Sequence, residues 1–231
     1  SLYQGGNPFK DEVDIQGVNC DRSFPNRGAF GRNYDAQNGN IELSTDGPRG
    51  KAAVFNPGSQ MAVYGAGPHS YGNVVSYALW LKTTSEEDMI LINTGRGGLK
   101  HGLWNLNLRN ARPELLMADD ARLLAGGQKL NDGKWHHIAM SMPWKDCKLS
   151  EIQFYVDGQA VESKVVGKDN PINVSMVNKV SVGGGGHDRG RSSYEKLLLA
   201  NFGVRPFEGS LDEIYVWARG LKAEEVAELA K

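Results

Sequence analysis

The chain has 231 residues, and sandwiches of this length commonly fold as one unit, so a single all-β domain is expected. Twenty-six Lys and Arg stand against 27 Asp and Glu, a formal net charge of -1, which argues against a surface built to neutralise phosphates and against nucleic acid as a partner. Hydrophobic residues at 40% supply a sizeable core, and no apolar run reaches the roughly 18 residues of a membrane-spanning helix. Twenty-nine Gly, scattered without a period, mark a turn-rich β protein.

Residues 1–30 form a polar, Gly-, Asn- and Asp-rich N-terminal arm, and residues 31–231 the domain proper. The arm carries too little apolar surface to offset the cost of ordering its backbone, so contacts beyond its own side chains are expected to hold it. From Lys51 onward short β-type runs recur, divided by Gly, Asn, Asp and Pro, at 52–55, 76–83, 88–93, 103–109, 114–118, 135–142, 152–156, 179–182 and 211–217. In WNLNLR the alternation is strict: Trp104, Leu106 and Leu108 face the core, while Asn105, Asn107 and Arg109 face water. The run SYALWLK is apolar on both sides and reads as a central strand. Asp157-Gly158 closes a two-residue hairpin, since that pair tolerates the positive φ angles such a turn demands. Residues 183–186, four glycines, read with the following HDRGRSS as a flexible loop. After Gly220, LKAEEVAELAK has helical spacing and good helix formers, giving one short C-terminal helix.

Two stretches resemble a known family. LNDGKWHHIAMSM with the later IQFYVDGQAV, and FEGSLDEIYVWARGLKAEEVAEL, are similar to the core strand, hairpin, last strand and terminal helix of laminin G-like domains, members of the concanavalin A-like lectin/glucanase jelly-roll superfamily. With KAAVFN and SYALWLKT the resemblance spans roughly residues 30–230. It implies an all-β fold, a two-sheet antiparallel β-sandwich, and places the chain among exported proteins, extracellular or at the cell surface, with an organelle lumen as the alternative. Such relatives bind calcium through an aspartate and carbonyl oxygens, which here points to Asp212 with Asp35 as a further ligand. Lys222 stands where the family often has a capping Ser or Thr, and the PWKDCKLSE insertion has no usual counterpart.

The resemblance leaves function open, so side chains must decide it. For a glycan ligand, Asn105, Asn107 and Arg109 could hydrogen-bond hydroxyls, and Trp80 or Trp144 could stack on a sugar face. Arg189 and Arg191 could meet an anionic group. Cys20 and Cys147 are expected to pair in an oxidising compartment, while two thiols suit a reducing one. Asn173 lies in a glycosylation sequon. Glu12-Val13-Asp14-Ile15-Gln16 resembles a glucanase strand, but Gln16 stands where the second carboxylate belongs. The leading expectation is a non-catalytic module binding a glycan or glycoprotein. A subunit docked through its arm to neighbouring protein subunits is the alternative, and a polysaccharide lyase or glycoside hydrolase the second.

Overall fold

The computed structural model describes residues 23–24, 36–39, 41–57, 59–64, 74–94, 104–117, 120–172, 179–184, 199–200, 202–217 and 219–231. Among these, the strands in chain order are β1 (Ser23–Phe24), β2 (Ala36–Gly39), β3 (Glu42–Gly47), β4 (Gly50–Phe55), β5 (Gln60–Tyr64) and β6 (Ser76–Lys82). There follow β7 (Met89–Thr94), β8 (Trp104–Arg109), β9 (Arg112–Met117), β10 (Arg122–Ala125), β11 (His136–Ser141) and β12 (Gln153–Val156). The last are β13 (Gln159–Val161), β14 (Ser163–Val166), β15 (Lys179–Val182), β16 (Arg205–Pro206) and β17 (Gly209–Trp217), before helix α1 (Ala223–Leu229).

They make two stacked sheets. One runs β13-β12-β11-β6-β17-β4-β3, and the other runs β1-β2-β5-β15-β7-β8-β9-β10-β14, with β16 alongside β7. Pairing is antiparallel except at the two-residue β16. The chain changes sheet at both margins: β2 ends at Gly39 and β3 begins at Glu42, while only Glu162 separates β13 from β14. The core between the sheets follows from the two-residue side-chain period, which sends Tyr77, Leu79 and Leu81 of β6 and Leu106 and Leu108 of β8 inward.

Each sheet also carries apolar packing on its outer face. On the seven-stranded sheet Ala78, Ala139, Tyr155, Tyr215 and Trp217 meet Leu221, Val226 and Leu229 around α1. On the other, Phe202 and Val204 lie against Ile90 and Leu116. Helix α1 begins at Lys222 without a capping hydroxyl. Instead Glu225 accepts the Lys222 N–H at 2.8 Å and is gripped by Arg219 at 2.8 and 2.9 Å.

The nine expected strand runs are all present, and β6 is central between β11 and β17. The Asp157-Gly158 turn has φ of 49° and 79°, as a type I′ hairpin requires. Strands β3, β10 and β14 escaped the pattern because they are short or, like β3 and β14, mostly exposed edges with little alternation. Ser23–Phe24, within the expected arm, pairs with Ala36–Gln37, so at that point the chain's own sandwich holds it.

The four-glycine run is corrected at its start. Gly183 and Gly184 are buried at φ of 72° and 97°, and a Cβ on Gly183 would lie 2.4 Å from the Phe55 ring. Phe55 is itself locked edge-on against Phe207, centroids 6.0 Å apart, so it cannot yield. Gly183→Ala is therefore expected to lower the unfolding free energy by about 2 kcal/mol, read from a denaturant midpoint. An unchanged midpoint would contradict the packing described.

Candidate functional site

Strand β8 turns Asn105, Asn107 and Arg109 to the outer face, as expected, but Asn105 and Asn107 are not wet: both are 0% exposed. They lie beside the small apolar layer of Ile90, Leu116, Phe202 and Val204, the last two of which come from a segment far downstream. Asn107 pairs in register with Ile90 on one side and Glu114 on the other, and Asn105 with Asn93 and Leu116.

Glu114, also 0% exposed, is the electrostatic centre of this face. Its carboxylate accepts Nδ2–H of Asn107 at 2.9 Å, Nε–H of Arg109 at 3.3 Å and Nη1–H of Arg122 at 3.2 Å. The remaining donors of Arg109 go to Asp88 Oδ2 at 2.6 Å and to the carbonyls of Phe202 and Gly203 at 2.9 and 3.2 Å. Burial opposes the charge on Arg109, yet Glu114 and Asp88 outweigh it and raise its pKa. Arg109 is thus a clamp on the 202–204 segment rather than a group free for a ligand. Among the described residues both amide atoms of Asn105 and the Oδ1 of Asn107 have no hydrogen-bond partner.

On the seven-stranded sheet, Trp80 sits opposite His137, their rings edge to face with centroids 5.4 Å apart. Its indole is half-buried against that ring. His137 is 0% exposed with both ring nitrogens unpartnered, and burial pushes its pKa from the ordinary 6.5 down to about 4. His136 points the other way, Nδ1 2.9 Å from Asp157 and Nε2 3.1 Å from Asp132, as the alternation of adjacent strand residues demands.

The β3–β4 hairpin covers this region. Trp135 Nε1–H donates to Asp46 O at 2.7 Å, Lys82 pairs with Asp46 at 2.7 Å, and Arg49 donates to Glu213, Tyr215 and the Leu229 carbonyl. Tyr215 in turn donates to Glu213. Asp212 lies beneath Gly47, where an added Cβ would come within 2.6 Å of Oδ2, and its Oδ1 accepts the Glu213 N–H at 2.9 Å. Among the described residues no group of three or more His, Cys, Asp or Glu side chains could hold a metal ion, and Asp35 lies outside them.

The insertion folds down rather than standing free. Ile172 N–H donates to Cys147 O at 2.8 Å and Ser150 binds Asp169 through its N–H and hydroxyl. Trp144 at its tip is 55% exposed, the most open of the large apolar side chains described. Cys147 is a free thiol buried in the hydrophobic core, and Cys20, its expected partner, lies outside the described residues. Burial pushes this thiol up to about 11. Cys147 should therefore resist iodoacetamide at neutral pH and react only on unfolding, as peptide mass spectrometry would show; rapid labelling of folded protein would refute its burial. Cys20, Asn173, Arg189, Arg191 and the 12–16 stretch lie outside the described residues.

One concavity stands open at the end of the sandwich, a cleft of about 310 Å³ between residues 54–57, 83–85 and 208–210. Thr83 fixes its walls, donating to Glu208 O at 2.7 Å and accepting Ser85 N–H at 3.1 Å. Gly209, at φ of 140°, lets β17 approach β6 so closely that a Cβ would sit 2.4 Å from Lys82 O. Asn56, Thr84, Glu208 and Ser210 line this space, and among the described residues their side chains make no hydrogen bond. Alternation alone could not reveal it, because its residues come from three stretches far apart in the chain.

A family model described as the concanavalin A-like lectin/glucanases superfamily matches residues 56–227. Among solved structures, domain 4 of AbnA, a GH43 extracellular arabinanase from Geobacillus stearothermophilus in complex with arabinotriose, is similar at 20% identity and TM-score 0.53, over 84% of this chain and 83% of that one. The binding domain of Paraclostridial Mosquitocidal Protein 1 is similar at 13% identity and TM-score 0.62, over 97% of this chain and 52% of that one. The Trypanosoma rangeli sialidase is similar at 14% identity and TM-score 0.63, over 94% of this chain and 32% of that one. These likenesses show the fold. No curated protein matches by sequence.

Proposed function

We propose, since the chain belongs to the concanavalin A-like lectin/glucanase superfamily, that it is a non-catalytic module of an exported protein, binding a glycan or glycoprotein through its rim. The observation that carries this is the rim cleft. Its volume of about 310 Å³ falls at the lower end of the range of small-ligand sites, and it combines an apolar side at Val54 and Pro57 with four uncommitted polar side chains. A carboxylate, an amide and two hydroxyls match the donors and acceptors of a sugar ring. The arabinotriose bound to a fold neighbour supports a saccharide ligand.

The non-catalytic part rests on charge. Glycoside hydrolysis needs two carboxyl groups roughly 5–9.5 Å apart, one of them a proton donor. The buried carboxylate at Glu114 is instead committed to Arg109, Arg122 and Asn107 within its own sheet. The pairing of Ser23–Phe24 with the chain's own β2 favours the module over a subunit docked by its arm.

The test is calorimetric titration with arabinotriose and a broader set of neutral oligosaccharides. The double variant Glu208→Ala/Ser210→Ala should lose at least about ten-fold in affinity with its melting temperature unchanged. Absence of binding to any glycan, or hydrolysis of one by the wild type, would defeat the reading.

A further inference from the structure

A second group of side chains lies on the outer face of the ten-stranded sheet. Ser181, Asn93, Asn105 and Leu116 are successive partners across β15, β7, β8 and β9, so they stand in one row, about 5 Å apart. Asn107 is two residues along β8 from Asn105 and points the same way, about 7 Å further along the strand. All five are buried.

What separates Asn105 from a filler residue is its lack of any partner. Both its amide atoms are shielded from solvent and find no hydrogen-bond partner among the described residues, and the same holds for the Oδ1 of Asn107. A buried amide in that state has lost its water and gained nothing in return. Leucine has nearly the same volume and carries no such penalty, and the next strand uses it at the neighbouring position, Leu116. The amides are thus explained by something outside the chain that supplies donor and acceptor together.

We propose that Asn105 and Asn107, with Asn93 and Ser181 beside them, form a second binding site, separate from the rim cleft, for an uncharged ligand bearing vicinal hydroxyls, as a neutral sugar does. An amide that offers an N–H and a carbonyl oxygen side by side is complementary to two adjacent hydroxyl groups, each of which can donate and accept. The ligand is uncharged because the ionic groups on this face already balance. Glu114 and Asp88 are matched by Arg109 and Arg122, and a buried ionic ligand would have no counter-charge left to meet it. Phe202 and Val204 lie against Ile90 and Leu116, the register partners of the two amides, so access requires that segment to lift. Slow association is expected.

The experiment titrates the full chain with glucose, galactose, xylose, arabinose and glucuronate, comparing wild type, Asn105→Leu and Glu208→Ala. At least one neutral sugar should bind wild type, lose at least about ten-fold with Asn105→Leu, and be retained by Glu208→Ala. Asn105→Leu should melt at the wild-type temperature or above, because it removes an unpaired amide. In wild type, the Asn105 side-chain amide signals in a 15N-correlated spectrum should shift as sugar is added, a readout that does not depend on the variant folding. The site is overturned if Asn105→Leu binds as wild type does, if it melts well below wild type, if the Asn105 signals do not move, or if glucuronate binds tightest. Binding lost only through Glu208 would remove this site and leave the rim reading standing. Binding lost only through Asn105 would do the reverse.

Discussion

Glu114→Ala is expected to lower the unfolding free energy by about 3–4 kcal/mol, the loss seen when one member of a buried ion pair is removed and its partners stay. Three donors converge on this carboxylate, and Arg109 also holds the Phe202 and Gly203 carbonyls. The loss should therefore spread to the outer layer of Ile90, Leu116, Phe202 and Val204. Glu114→Gln keeps an acceptor for Asn107 but not the charge, and should cost about 1–3 kcal/mol. Urea melts of the two variants check the ranking. Equal losses would mean that the negative charge contributes nothing.

Acid should destabilise the protein through His137 before the carboxylates titrate. Its pKa falls from 6.5 to about 4 on folding because burial opposes the charged form, aided by Arg49 and only partly offset by Asp157. A depressed folded pKa means that the unfolded chain takes up the proton first. Stability is full above pH 6.5 and falls as pH drops toward 4, by about 3 kcal/mol over that window. His137→Phe keeps an edge-to-face contact with Trp80 and removes two unpartnered nitrogens. It should flatten the pH dependence and leave the protein as stable at neutral pH, or up to about 2 kcal/mol more so. Denaturant midpoints at steps from pH 7 to 4 decide the matter: an unchanged slope in the variant would assign the acid sensitivity to other groups.

Local patterns carried the fold because the properties they read are local. The period of two placed nine strands, Asp157-Gly158 its hairpin, and LKAEEVAEL its helix. Local patterns could not carry burial on the outer faces. The facing of Asn105 and Asn107 was legible in WNLNLR, but what covers that face comes from Phe202 and Val204, and no period links segments so far apart. Trp80 looked available for stacking because its partner His137 is set by the β6–β11 register, which only the paired strands reveal. The glycines at 183 and 184 read as flexibility, whereas close contact with Phe55, Ile90 and Pro206 is what excludes a side chain there. Trp144 was the exception: no core position required it, and it is exposed.

The sheet-changing crossings at Gly39–Glu42 and at Glu162 stitch the sandwich along both of its long sides. Mechanically it is a flattened sleeve rather than two boards, since neither seam can part without pulling out covalent chain. Sliding or splaying of the sheets is resisted at both margins, and shape can vary freely only at the two mouths of the sleeve. The cleft lies at one such mouth, where Thr83 and the close approach of Gly209 to Lys82 hold its walls while Asn56 and Thr84 sit on the turns between strands.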